Sequence, residues 1–335
     1  MTIFINKIIT THTKQGVVKM MFLFIIVISI VQGITEFLPI SSSGHLVLTY
    51  NLFSIKGETM LLSIILHLAT LISVIIYYRK EIWTLIKNPF CKTNKLLLTA
   101  TIPTVLFVLL FKSTIDNSFS GNWLIFGFII TSLILGIADY MSPNTNKLSK
   151  FNYYKSETAL MTTPPESNQN IKSRNHNIDY RRKQDTTPPS KNNYRIKYKD
   201  TKDITKVNIE YWQSVVMGVV QGFACFPAIS RSGSTIASAL IMKINKEDAT
   251  TFSFLMSIPI IIASLFYEII FPNPNNFSLN FGLVILAFIL TSIIGFFAIR
   301  LMNKIVKSSK LYYFSFYLLA LVFILIFAKF AVRFM

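Results

Sequence analysis

The chain has 335 residues, 52% of them hydrophobic and only 14% charged, where an ordinary soluble domain carries about 25% charged residues. That is too little polar surface to coat a soluble globule, so a soluble fold is excluded. The net charge of +18 does not argue for nucleic acid either, because the Lys and Arg residues lie between apolar runs and in one polar insert, where they read as topology signals.

The first apolar stretch, 17–31, opens beside Lys14 and Lys19 but runs without a small-residue cleavage site into a polar, proline-containing motif. It is therefore expected to stay as the first helix rather than leave as a signal peptide. Gly, Pro and charge positions then predict helices over 17–37, 42–54, 59–78, 95–111 and 122–140. The segment 141–208 is rich in Lys, Asn, Thr and Pro with almost no apolar periodicity, and reads as a disordered, solvent-exposed insert. Beyond it come 209–226, 231–242, 248–270, 279–300 and 310–332. The apolar runs 61–78, 123–138, 281–299 and 311–328 approach the roughly 20 residues that cross a bilayer, and Trp83, Trp123 and Trp212 suit interface anchoring. Two cysteines, Cys91 and Cys225, support neither a disulfide framework nor a cysteine-based metal site. His67, on an apolar helix face, is expected to make an interhelical hydrogen bond.

The sequence repeats itself. Residues 31–45, VQGITEFLPISSSGH, align without gaps on 220–234, VQGFACFPAISRSGS, with eight of fifteen positions identical. Each copy sets Pro, Ser and Gly between a long apolar segment and a short one, too broken for two full crossings. Each reads as a helix, a loop near the midplane and a half-helix returning to the side of entry. Interrupted segments at corresponding positions of two halves point to a membrane-embedded site.

The expected fold is therefore all-α and polytopic, with two inverted repeats. Residues 1–140 hold a re-entrant pair at about 17–54 and three transmembrane helices, and 209–335 hold a second pair at about 209–242 and three more. In this arrangement the insert and the loops at 79–95, 243–246 and 300–310 share one face. Without the insert those loops hold 11 Lys and Arg against seven on the opposite side. The positive-inside rule makes the richer face cytoplasmic and places both termini on the outer face of a bacterial inner membrane.

An ionisable group at membrane depth costs several kcal/mol even on lenient insertion scales, so it is a functional candidate by default. Glu36, His45 and Arg231 fall in or beside the broken segments. If the two loops meet, these share a cavity with Ser41, Ser42, Ser43, Ser230, Ser232, Ser234 and Thr235. That inventory suits a phosphate. Arg231 offers a rigid fork of donors, while the hydroxyls and the free N–H groups at the half-helix starts, Gly233 among them, add neutral ones. Glu36 would repel a phosphate and so implies a divalent cation or proton transfer. His45 can act as acid, base or nucleophile.

The runs VQGITEFLP at 31–39 and ISSSGH at 40–45 resemble two linked signatures of the bacitracin-resistance family of undecaprenyl-diphosphate phosphatases, and PAISRSGST at 227–235 resembles a third. Phe252-Ser253-Phe254-Leu255 with Pro259 is also similar to that family. The likeness covers both helical halves; the insert is longer than the connection expected, and Ala228 stands where a glycine is usual.

The resemblance implies that Gln32 and Glu36 form an acidic motif able to hold Mg2+ or Ca2+, Ser42 and His45 a catalytic pair, and Arg231 the diphosphate clamp. On the reading of the residues themselves, phosphate contacts are expected from Ser41, Ser43, Ser230, Ser232, Gly233 and Thr235. In the expected mechanism Ser42 attacks the terminal phosphorus and His45 takes its proton, although a histidine nucleophile or an activated water would use the same residues. The implied reaction converts a long-chain polyprenyl diphosphate to its monophosphate. The expected partners are that lipid, the membrane and a second copy of the chain, with no nucleic acid. A transporter or flippase is the competing reading, because inverted repeats with broken helices are also a transporter signature. A type-2 phosphatidic acid phosphatase is disfavoured, since no histidine follows Arg231.

Overall fold

In hydrocarbon a lone apolar segment can satisfy its backbone only by coiling into a helix, and every regular element among the described residues is helical. The computed structural model describes residues 2–53, 55, 60–118, 123–142, 204–270, 280–308 and 310–334. In chain order the elements are α1 (Thr2–Thr35), α2 (Ser42–Leu52), α3 (Met60–Tyr77), α4 (Arg79–Lys87), α5 (Lys92–Ser118) and α6 (Leu124–Met141). After a 3-10 turn at Ile204–Lys206 come α7 (Tyr211–Phe223), α8 (Arg231–Ile241), α9 (Lys246–Ile270), α10 (Phe281–Lys307) and α11 (Tyr312–Phe334).

Six of these are long and apolar enough to span a membrane: α5, α6, α10 and windows within α1, α9 and α11; α3 with α4 would make a seventh as a bent pair. Large apolar side chains such as Leu110, Phe323 and Phe327 face outward, as lipid-facing positions do. The protein is thus a multi-pass helical membrane protein, as expected.

Several boundaries differ from the sequence expectation: α1 starts at Thr2 rather than at 17, and α10 runs on to Lys307 rather than ending at 300. The loop expected at 79–95 contains α4, which turns 79° away from α3. That helix forms because Ile82 and Leu85 have a core to pack on, while Trp83 and Ile86 stay exposed with the Lys87 ammonium 5.2 Å over the Trp83 ring. Helix α5 runs well past 95–111 at both ends and carries Pro103 inside it. The insert also ends before 208. Ile204, Val207 and Ile209 are buried, and Thr93 Oγ1 donates to Ile204 O at 2.6 Å. The rest of the insert, 143–203, and with it the expectation of disorder, lies outside the described residues.

The two halves pack by exchange of partners, α1 against α10 and α7 against α5. The same contacts are made twice. Thr291 Oγ1 donates to Ser29 O at 3.3 Å, and Thr104 Oγ1 donates to Gly218 O, the repeat counterpart of Ser29, at 2.7 Å. A Cβ on Gly33 would lie 2.9 Å from Ile294, and one on its counterpart Gly222 would lie 2.6 Å from Phe107. The Gln-Gly step common to both copies is therefore a point of close helix approach in each half.

Candidate active site

Each broken segment is terminated and restarted in the same way. Helix α1 stops at Thr35 and α7 at Phe223, a few residues before Pro39 and Pro227, which have no N–H to continue a helix. The chain restarts behind a serine N-cap. Ser41 Oγ accepts from Gly44 N at 3.3 Å, and Ser230 Oγ accepts from Gly233 N at 3.1 Å. The cap glycines are also where the loops touch. A Cβ on Gly44 would lie 3.0 Å from Ala228 Cβ, and one on Gly233 would lie 2.9 Å from Pro39 Cβ. Ala228 itself sits at φ 63°, a left-handed conformation in which the glycine usual at this position would be unstrained.

Both half-helices are 11 residues long, about 16 Å at 1.5 Å per residue, or half of a hydrocarbon layer of about 30 Å. Three further contacts join the loops: Ala228 N donates to Ser43 Oγ at 3.3 Å, Ser232 Oγ donates to Leu38 O at 3.3 Å, and Arg231 pairs with Glu36.

Glu36 is the centre of the cluster. It is 6% exposed, and both carboxylate oxygens are engaged. Arg231 Nη2 donates to Oε1, while Ser42 Oγ donates to Oε2 at 2.6 Å and Gln32 Nε2 donates to the same oxygen at 3.1 Å. A carboxylate taken out of water is tolerable only when paired and hydrogen-bonded in this way. Gln32 Oε1 is buried without a partner. A small cleft opens beside the pair, lined by Glu36, Phe37, Arg231, Ser232, Thr235, Ser253, Phe254 and Ser257.

Of the expected residues, then, Gln32, Glu36, Ser42 and Arg231 come together, with Ser232 and Thr235 at the cleft. The expected Ser42–His45 pair is not formed. Ser42 turns to Glu36, and His45 is drawn away by a bond from Nδ1 to Ser41 O at 2.7 Å and one between Nε2 and Tyr317 Oη at 2.8 Å. Ser41 and Ser230 serve as caps, and the Gly233 N–H expected to face a phosphate is spent on the second cap. His67 bonds to Ser63 O one turn back on its own helix, not across to another.

Sequence reasoning missed Ser253, Ser257 and Tyr317. Ser253 Oγ lies 2.6 Å from Thr235 Oγ1, and Phe254 meets Phe37 edge-on at 5.7 Å. The Phe252-Ser253-Phe254-Leu255 run was the available signal for the first of these. Nothing marked Tyr317 among the many aromatics of α11.

The fold and site define a class: a polytopic helical membrane protein whose two serine-capped half-helices close around a buried carboxylate–guanidinium pair with a hydroxyl on the carboxylate. The chain belongs to the bacitracin resistance protein BacA family, whose model matches residues 25–162 and 189–324. It is similar to the undecaprenyl-diphosphatase of Carboxydothermus hydrogenoformans, 32% identical over 296 residues covering 87% of this chain and 91% of that protein. It is likewise similar to undecaprenyl-diphosphatase 4 of Bacillus thuringiensis, 32% identical over 307 residues with 90% and 94% coverage. The undecaprenyl-diphosphatase of Alkaliphilus metalliredigens is 32% identical over 317 residues, with 87% and 93% coverage.

Proposed function

We propose that this protein hydrolyses undecaprenyl diphosphate to the monophosphate and inorganic phosphate, regenerating the lipid carrier for cell-wall polymers and, as the family name implies, conferring bacitracin resistance. The observation that carries this reading is the Arg231–Glu36–Ser42 chain, in which a cation and a proton acceptor from two distant parts of the sequence line one cleft and a serine hydroxyl is hydrogen-bonded to the acceptor.

In the reaction, Ser42 Oγ attacks the terminal phosphorus and gives its proton to Glu36 Oε2, to which it is already hydrogen-bonded. The P–O bond to the bridging oxygen breaks, releasing the lipid monophosphate, and water then cleaves the phosphoserine to inorganic phosphate. Arg231 can keep one nitrogen on Glu36 and turn its remaining N–H groups to the phosphoryl oxygens, supplying the charge neutralisation on which phosphoryl transfer depends. Ser232 and Thr235 place their hydroxyls at the cleft wall. No group of three or more His, Cys, Asp or Glu side chains converges among the described residues. Glu36 and the unpartnered Gln32 Oε1 would nevertheless be the groups to hold a hard, oxygen-seeking cation. Such an ion, Mg2+ or Ca2+, would supply further neutralisation of phosphate charge.

The proposed setting is the bacterial inner membrane, with the basic loops and the insert cytoplasmic and both termini outside; the 11-to-seven excess of Lys and Arg supports it. The doubled contacts between exchanged partners support an inverted repeat. A homodimer and the absence of nucleic-acid binding remain part of the proposal.

Purified protein in detergent should release inorganic phosphate from polyprenyl diphosphate, stop on chelation and recover with Mg2+ or Ca2+, and Arg231→Ala should be inactive. No release from the parent with cation present would sink the hydrolase reading and leave transport. Full activity in excess chelator would remove the cation.

A further inference from the structure

We propose that Tyr317, on α11, is a positioning residue for His45; the role rests on the hydrolase reading above. The Nδ1 of His45 lies 2.7 Å from Ser41 O. A carbonyl oxygen can only accept, so Nδ1 carries the proton, and the lone pair of the neutral ring is on Nε2. That nitrogen is 2.8 Å from the Tyr317 hydroxyl, which donates to it.

The two rings also stack, with centroids 5.8 Å apart and planes 12° from parallel, and Phe128 of α6 meets the imidazole edge-on at 5.5 Å. His45 is thus held at both nitrogens, on one face and at one edge. Rotation of the ring would break two hydrogen bonds at once.

The placement of Tyr317 is itself built. Two residues earlier on α11, Ser315 Oγ donates to Ser132 O at 2.8 Å and Ser132 Oγ donates to Ser315 O at 3.0 Å, and one turn earlier Leu311 N donates to Asp139 Oδ1 at 3.0 Å. These reciprocal bonds fix the register of α11 on α6. Tyr317 is 44% exposed, so burial does not account for its position; the bond and stack to His45 do. In the second half the counterpart of His45 is Ser234, whose buried hydroxyl has no partner. The phenol therefore serves one copy of the repeat alone, the one with the imidazole. Its effect is to keep the imidazole in the Nδ1-protonated tautomer and to hold it at a fixed angle on the half-helix that carries Ser42.

The test compares Tyr317→Phe, which keeps the stack and removes the hydroxyl, with Tyr313→Phe, one turn away on the same helix. Two readouts are taken on the full chain in detergent: phosphate release from polyprenyl diphosphate, and 15N spectra of histidine-labelled protein with His45 assigned by its loss in His45→Asn. In the parent, His45 should be the Nδ1-protonated tautomer with a hydrogen-bonded Nε2. Tyr317→Phe should move the Nε2 resonance toward that of a free acceptor and lower kcat roughly 3- to 10-fold, the range for loss of one neutral hydrogen bond, with KM within about twofold. Tyr313→Phe should do neither. An Nε2-protonated tautomer in the parent overturns the proposal without any variant; so does a Tyr317→Phe variant with parental kcat or an unmoved Nε2 resonance. If the parent releases no phosphate, the hydrolase reading fails and the role in catalysis goes with it, while the spectra still decide whether the bond exists.

Discussion

Glu36 and Arg231 stand on different halves of the chain, and each makes the other tolerable. The carboxylate is almost wholly buried while the guanidinium keeps about a fifth of its side chain exposed, so the carboxylate bears more of the desolvation cost and depends more on its partners. Ser42 uses the oxygen that Arg231 leaves free. An amide in place of the carboxylate would keep the shape, yet it could neither take the serine proton nor balance the guanidinium. Glu36→Gln is therefore expected to lower kcat for phosphate release by roughly 10²- to 10⁴-fold, the usual loss of a general base, with the protein still folded in detergent. A kcat within about tenfold of the parent at saturating substrate would remove Glu36 from the proton-transfer role and return it to His45.

At the scale of the elements, Arg231 is aimed by how closely α6 approaches the loop before α8. Thr131 Oγ1 of α6 accepts from Ser230 N at 3.0 Å and bonds back toward Gly127 O and Ala228 O, so the loop is laced to α6 just before the arginine. Gly127 makes this possible: a Cβ there would lie 2.8 Å from Ala228 Cβ, with Pro227 closer still. Gly127→Ala should cost about 1–3 kcal/mol of stability by overpacking, seen as a lower thermal midpoint, and should reduce phosphate release by displacing Arg231. Gly136→Ala on the same helix meets only Ser315 Oγ at 3.5 Å, an ordinary contact, and should change neither. Equal tolerance of the two would mean that α6 does not set the loop.

These capped half-helices were legible in the sequence because the same device is written twice, Ser with Gly three residues on. The cluster of Glu36, Arg231 and Ser42 was legible as a set, since charges in membrane loops are rare. Who bonds to whom was not, because rotamers and the carbonyl of Ser41 decide whether Ser42 faces Glu36 or His45. Helix α4 was hidden by its charge, and it forms because tertiary packing covers Leu85.

Over the whole molecule, the doubled framework and the single site divide the labour. The paired contacts, Thr291 with Ser29 and Thr104 with Gly218, Gly44 with Ala228 and Gly233 with Pro39, treat the halves alike. The chemistry sits where the copies differ: Glu36 against Cys225, Ser42 against Arg231, His45 against Ser234. A segment outside both copies should then be dispensable unless it packs on them. Ile204 and Val207 are buried and Ile204 O takes the Thr93 hydroxyl, so the last few residues of the insert belong to the helical body.

Replacing 145–200 with a flexible Gly/Ser linker of about 15 residues should leave phosphate release within about twofold of the parent and the thermal midpoint unchanged. Extending the deletion through Val207 removes two buried apolar side chains and strands the Thr93 hydroxyl, which should cost on the order of 3–6 kcal/mol and lower the midpoint in detergent sharply. If the shorter deletion proves as damaging as the longer one, the insert carries structure or function that neither half accounts for, and the membrane repeats alone do not make the enzyme.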